Sequence, residues 1–329
     1  MPADCRPLAG QVRLFEHPDF ATILIATGEH FGMQPQIAEK DYYVTEALRI
    51  AHDHLGEKVI FKGGTSLSKG WKLIARFSED VDLFVDPSTF DPPLESRKRI
   101  DKALKGLRDA IARHPALGYL DGEGRTTGGA GRRDFFAYHS RFGDLPGIRP
   151  VVMAEPGIRS GNFPTQDVPL QSYAAEYLVD QGITDIADDL ESFPMVLMHY
   201  RRTYVEKLFT LHSHVTRMIE TGGDLGRSAR HYADVHLLAR TDAVQIMLTS
   251  SEFSELKVDC DAMSRRFFGA GYAAPAELSF ADSPALFPDE NLRERLRTAY
   301  DRDCAGLFFG PYPSFNEVLE GFELARNLL

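Results

Sequence analysis

The first strong periodicity lies in IAEKDYYVTEALRIA, where Ile37, Tyr43 or Val44, and Leu48 recur at helical intervals before Gly56. Residues from about Asp19 to His54 are therefore expected to be largely helical. KVIFK, from Lys58 to Lys62, is short, β-branched and aromatic, and Gly63-Gly64 ends it as a strand. TSLSKGWKLIARF then predicts a helix capped by Thr65 or Ser66. In DVDLFVD the period falls to two, so Asp80, Asp82 and Phe84 share one face and Val81, Leu83 and Val85 the other. Such a strand displays two carboxylates side by side.

Past the breaks at Pro87, Pro92 and Pro93, SRKRIDKALKGLRDAIARH predicts a helix with Ile100, Leu104, Leu107 and Ile111 on its apolar stripe. The glycine-rich GYLDGEGRTTGGAGRR predicts a mobile loop. DFFAYHSRF and IRPVVMAE, either side of the turn GDLPG, predict antiparallel strands, and Pro156 is expected to end the second. From about Phe193 the pattern turns helical. PMVLMHYRRTYVEKLFTLHSHVTRMIE aligns Leu197, Tyr204, Leu208, Leu211 and Val215 before Gly222-Gly223, and RSARHYADVHLLAR follows. Further helices are expected around DAVQIML, DAMSRRFF, ENLRERLRTAYDRDCAGLFF and SFNEVLEGFELARNLL, with no internal repeat.

Composition narrows the class. A chain of 329 residues, 43% hydrophobic and 26% charged, is globular in character and long enough for two domains or one elaborated domain. No segment approaches the roughly 18 apolar residues that cross a bilayer, so no membrane association is expected. The start, MPADCRPLAGQVRLFEHPDF, lacks a basic region followed by an apolar one, and a cytoplasmic location is the expectation. Cys5, Cys260 and Cys304 are odd in number, far apart and without a CxxC, which argues against a disulfide framework or a thiolate zinc site. A net charge of -11 argues against nonspecific wrapping of nucleic acid. Locally, though, Glu95 to Arg113 carries seven basic residues against three acidic ones.

Two carboxylates two residues apart on a strand project together and attract a hard divalent cation. A glycine turn followed by a helix start offers bare N–H groups and a favourable dipole to phosphate. Singly, GG-T-S is a tight turn with a cap and DxD a solvated strand edge. Their coincidence, with the DxD about fifteen residues after the glycines, suits a metal-bound nucleoside triphosphate. The frame is not a P-loop, because no hydroxyl residue follows Lys69.

Six ordered blocks carry a wider likeness: EKDYYVTEALR, FKGGTSLSKGWKLIARFSEDVDLFV, VVMAEPGIRSGNFP, RRTYVEKLFTLH, RSARHYADVHLL and GPYPSFNEVLEGF. With them the chain resembles the AbiEii/AbiGii-type nucleotidyltransferase toxins, related to the MenT toxins, within the polymerase-beta-like nucleotidyltransferase superfamily. The resemblance implies an α/β (α+β) fold: a nucleotidyltransferase domain over residues 1–190 with a small mixed sheet flanked by helices, and a helical domain over 191–329 completing the cleft. It also implies magnesium- or manganese-dependent transfer of a nucleoside monophosphate from an NTP to RNA, expected to be the 3′ end of tRNA. Translation arrest and a cognate antitoxin follow from it. Transfer to a protein hydroxyl, or a non-catalytic nucleotide- or RNA-binding module, are the alternatives.

By the same resemblance, Gly63, Gly64 and Ser66 hold the triphosphate and Asp80 and Asp82 bind the metal. Glu155 is the candidate third metal carboxylate, its alternative role being structural. Lys207 of YVEKL is expected to reach the triphosphate from a helix whose apolar stripe lies elsewhere, so its ammonium need not be buried. Arg230 and Asp234, four residues apart, read by spacing as an exposed ion pair. The resemblance instead makes Arg230 nucleotide-binding and Asp234 catalytic or base-orienting. Arg97, Lys98, Arg99, Arg132 and Arg133 are the candidate RNA contacts, Arg159 a candidate phosphate contact, and Lys40-Asp41 a brace for the cleft. Ser78, two residues before Asp80, is a candidate regulatory phosphosite, where a phosphoryl group would add about -2 charge beside the metal carboxylates. His199, His212, His214, His231 and His236 are expected to pack, hydrogen-bond or touch RNA, since no HExxH spacing suggests zinc.

Overall fold

The computed structural model describes residues 12–329 except Phe77, Glu79, Asp144, Pro146, Gly147, Gly306 and Phe309, so Cys5 lies outside the described residues. Helix α1 (Phe20–Phe31) and helix α2 (Pro35–Leu55) come first, and Gly56, at φ 57°, turns the chain out of α2. Strand β1 (Val59–Lys62) then buries Val59, Ile60 and Phe61. Strand β2 (Asp80–Val85) keeps the expected alternation: Val81, Leu83 and Val85 are buried in the core that contains Tyr42, Ala47 and Leu48 of α2. Its other face carries Asp80 and Asp82, with Phe84 packed into a small cluster with Ile60 and Met198.

Helix α4 (Arg97–Ile111) begins at Ser96, whose side chain accepts the N–H of Arg99, and sinks Ile100, Leu104, Leu107 and Ile111 into the same core. The glycine-rich stretch expected as a mobile loop contributes two short strands, β3 (Gly118–Tyr119) and β4 (Arg125–Thr126), both paired with β5 (Arg132–Ala137). Strand β6 (Val151–Gly157) is antiparallel to β5, as anticipated, but continues through Pro156. The missing N–H interrupts only the β5 side, where pairing stops at Asp134↔Ala154 and returns at Gly131↔Gly157. On the β2 side the ladder runs through Pro156 to Gly157.

Strands β7 (Thr165–Leu170) and β8 (Phe193–Met198) flank helix α5 (Tyr173–Asp180) in the chain and complete a mixed sheet of order β3-β5-β6-β2-β1-β8-β7, with β4 attached to β5. The PMVLM run read as helix is therefore a strand, parallel to β1 and antiparallel to β7. A short apolar run does not reveal its period, and two neighbouring strands claim this one. It also lies past the boundary expected at residue 190, so the sheet extends through Met198.

Helix α6 (Tyr200–Thr221) starts where His199 Nδ1 accepts the Arg201 N–H. It packs with α7 (His231–Ala239), α8 (Asp242–Leu248), α9 (Ser251–Phe268), α10 (Glu290–Cys304) and α11 (Phe315–Ala325) around a second core. Leu67 and Ile74, from the segment between β1 and β2, are buried in that second core. The glycine turn is thus pinned between the two cores. The expected long helix after it shrinks to one turn, α3 (Gly63–Thr65), and a wide turn over Ser66–Gly70. Leu197 packs so tightly on Gly70 that a Cβ there would lie 2.2 Å from its Cδ2, and Lys72 at φ 53° turns the chain away. No helix among the described residues is long and apolar enough to cross a membrane.

Candidate active site

Sheet register builds the centre of the site. Lys62 of β1 stands opposite Asp82 of β2, and Asp82 opposite Glu155 of β6, so a cation and two carboxylates form a row across three strands. Asp80 lies two residues along the same face. Burial pushes the Asp82 carboxyl up to about 7, with Lys62 opposing the shift and Glu155 and Asp80 adding to it. Lys62 Nζ donates to Ser160 Oγ at 3.2 Å and to Glu206 Oε2 at 3.3 Å.

The glycines are required by what lies against them. Gly63 sits at φ 76°, and a Cβ there would be 2.0 Å from Asp82 Oδ2; the carboxylate fills the space of a side chain. At Gly64 a Cβ would be 2.7 Å from Arg76 Nη2 and 2.9 Å from Ser78 Oγ. Thr65 Oγ1 donates to the carbonyl of Asp80, tying turn to strand. Ser66, expected to hold phosphate, is fully buried and donates to Gly63 O at 2.9 Å, so it shapes the turn from behind. Gly63→Ala is expected to cost about 1–2 kcal/mol from backbone strain alone and to displace Asp82. A melt by circular dichroism, with a manganese titration alongside, should show lower Tm and weaker binding together.

On the facing helices, Asp234 of α7 is completely buried and does not pair with Arg230. Arg76 grips it with two bonds, Nε to Oδ1 at 2.7 Å and Nη2 to Oδ2 at 2.8 Å, and Lys207 Nζ reaches Oδ2 at 2.8 Å. Those cations hold the Asp234 carboxyl well below its ordinary range despite burial. Lys207, expected to be free of the core, is buried on α6 and also meets His231 Nδ1 at 2.9 Å. Burial drives the His231 imidazole down to about 3, so it is neutral and accepts from the ammonium. Arg230 turns to the strand face instead, with Nη2 3.8 Å from Asp80 Oδ2. Asp80 Oδ1 and Arg230 Nε are both buried without a hydrogen-bond partner. Two carboxylates on one strand face, one with an unsatisfied oxygen beside a half-buried guanidinium, fit a divalent cation bound with a polyanion.

Glu155 is committed elsewhere in this structure: Arg133 Nε donates to its Oε1 at 2.5 Å. No group of three His, Cys, Asp or Glu side chains is gathered as a metal cluster among the described residues. Arg133 is thus a competitor for the third carboxylate. Arg133→Gln is expected to strengthen manganese binding several-fold, read by electron paramagnetic resonance, since the variant no longer neutralises Glu155. Arg132, proposed with it as an RNA contact, is buried and forked onto Asp134 at 2.8 and 2.9 Å, so its guanidinium is already paired with a carboxylate. Arg99 is exposed but donates to the carbonyls of Pro92 and Pro93, whereas Arg97 lies along Gly129 and Lys98 faces solvent.

Ser78 is buried, its hydroxyl close against Gly64, so a kinase would reach it only after the turn opens. Asp41 accepts from buried Lys69 at 2.7 Å and from the Tyr173 N–H at 2.8 Å, linking α2, the wide turn and α5, while Lys40 Nζ donates to Arg149 O. Arg159 Nη2 donates to Thr127 O at 2.6 Å on the rim. His212 and His214 bond Ser283 and Ser228, and Cys260 and Cys304 are free and buried. Burial, with Arg201 adding, lowers His199 to about 4. The unfolded state therefore binds the extra proton between about pH 6.5 and 4, and this group withdraws stability as pH falls through that window. His199→Asn, which keeps a capping acceptor, should shift its urea midpoint less than the wild type between pH 7.5 and 5.

Arg76, Lys62 and Glu206 lie within the six ordered sequence blocks without a role that their spacing announces, and His231 was expected only to pack, hydrogen-bond or touch RNA. Arg76 stands four residues before Asp80, but its partner Asp234 is 158 residues away. A lone arginine in sequence carries no sign of burial.

The fold shows a likeness to the solved structure of MenT4, nucleotidyltransferase toxin Rv2826c from Mycobacterium tuberculosis H37Rv, at 16% identity over 85% of this chain and 98% of that one, with a TM-score of 0.37. No curated protein matches the chain. A family profile, nucleotidyl transferase AbiEii toxin of type IV toxin–antitoxin systems, matches residues 46–321, from within α2 to within α11. The chain belongs to the AbiEii nucleotidyltransferase toxin family.

Proposed function

We propose that the protein transfers a nucleoside monophosphate from an NTP to an RNA acceptor, the 3′ end of a tRNA, and so arrests translation in the cytoplasm until a cognate antitoxin restrains it. The observation that supports this most is the juxtaposition at Asp82, which lies against Gly63 on one side and opposite Glu155 on the other. Asp80 and Asp82 would hold magnesium or manganese, with Glu155 joining once Arg133 releases it. The bound cation would supply charge neutralisation at the phosphates and orientation of the reacting oxygens.

The chain's own residues do the rest. The Gly63-Gly64 turn presents backbone close to the carboxylates, and Arg230, with Lys207 behind it, supplies positive charge for the leaving pyrophosphate. Asp234 is a positioning residue: it is closed to solvent and holds Lys207 between α6 and α7. Lys62 keeps charge balance in the row and is itself anchored by Glu206.

Incubation with each α-labelled NTP, magnesium and total lysate should label RNA of tRNA size. Label confined to protein would replace the RNA acceptor with a protein hydroxyl. No label anywhere, with the NTP still bound, would reduce the chain to a binding module.

A further inference from the structure

We propose that a cavity beside the carboxylates, between α6 and the end of α9, receives the unpaired 3′-terminal nucleoside of the RNA acceptor, a reading that rests on the transfer reaction above. Two cavities adjoin on this flank. One, of about 230 Å³, is floored by Asp82, Leu83, Phe84 and Gly157 and contains Glu155. The other, of about 350 Å³, is lined by Phe209, His214, Arg217, Met263 and Tyr272. They share Lys62, Arg159, Ser160 and Phe268.

Position along the strands orders the reactants. At one end of β2 are Asp80, Arg230 and the glycine turn; Asp82 follows, level with Lys62 and Glu155; then come Leu83 and Phe84, the floor of the first cavity. Gly63, Gly64, Lys207 and Arg230 line neither cavity. In-line displacement forms the bond from the acceptor hydroxyl oxygen to the α-phosphorus while the bond to pyrophosphate breaks opposite. The hydroxyl proton passes to a carboxylate of the site, Asp82 and Glu155 both bordering this cavity. With pyrophosphate leaving at the Arg230 end, the acceptor approaches from the cavity end.

The lining has the chemistry of single-stranded RNA recognition, in which bases stack on aromatic rings and phosphates meet arginines. Phe268 is 52% exposed where the cavities join, on the last turn of α9 before Gly269 at φ 50°. Arg217 and His214 are exposed on the α6 side. Arg266 lies exposed beside Phe268, while Arg265 is paired with Asp261 at 2.7 Å, so the charge offered along the path of a polymer leaving the site comes from Arg217 and Arg266. A free nucleotide needs no such path.

The probe is a short single-stranded RNA with 2-aminopurine at its 3′ end, whose fluorescence is quenched on stacking. The wild type should quench it, and Phe268→Ala should abolish the quench and raise the KM for RNA about 10-fold or more, with the KM for NTP within twofold. Arg217→Ala should weaken RNA binding and lower its salt slope by about one unit. Both positions are exposed, so folding should be unaffected. A rise in the KM for NTP with that for RNA unchanged would assign the cavity to the donor base and overturn the proposal, as would unaltered quenching in Phe268→Ala. If the wild type labels no RNA, the transfer reading fails, and the quench still decides the cavity separately.

Discussion

Asp234→Ala should lower the stability of the protein by about 3–5 kcal/mol, the largest loss expected from any single truncation in the site. The carboxylate is completely buried and takes three charged contacts, two from Arg76 and one from Lys207. Removing it leaves a guanidinium and an ammonium facing each other in a site closed to water. Arg76 comes from the segment joining β1 to β2, Lys207 from α6 and Asp234 from α7, so the same change unlatches the two cores. Urea denaturation followed by circular dichroism reads the effect directly, and Asp234→Asn, which keeps the shape and loses the charge, should fall between. An alanine variant as stable as the wild type would show that the buried cluster is not a structural latch.

Asp82→Asn should have opposite effects on activity and stability. Transfer should fall on the order of 10³-fold or more, because several kcal/mol of charge stabilisation at the phosphates depends on this carboxylate. Stability should nevertheless rise. The folded carboxyl is pushed up to about 7, above its unfolded value of 3.8, so the ionised group is disfavoured in the folded state. Its contribution is most favourable below the unfolded pKa and is lost as pH rises through 7, so the asparagine variant should melt higher than the wild type at pH 8 without divalent cations. A variant that melts lower there would contradict the account of Asp82 as a strained metal carboxylate.

Much of this site was legible because β2 obeys a local rule: alternation alone puts Asp80 and Asp82 on the face opposite Val81 and Leu83. The glycines were legible for the same reason, as punctuation after a β-branched run. What sequence concealed was long-range. Nothing local distinguishes Arg132, forked onto Asp134 in the core, from Arg133, which reaches Glu155 on the rim. Ser66 and Lys207 were recognisable by position, yet burial gives the first a structural bond to Gly63 and the second a partner in Asp234. The PMVLM strand was misread because its period is set by β1 and β7, which flank it only after folding.

We propose that the carboxylate row and the glycine turn carry out nucleotidyl transfer. The most direct test is a single-turnover assay of wild type and Asp82→Asn with α-labelled NTP, magnesium and tRNA, measuring nucleotide incorporated and pyrophosphate released. The wild type should give the two in equal amounts and the variant neither, with the variant's fold intact by circular dichroism. Equal incorporation by both proteins would place the chemistry elsewhere in the molecule.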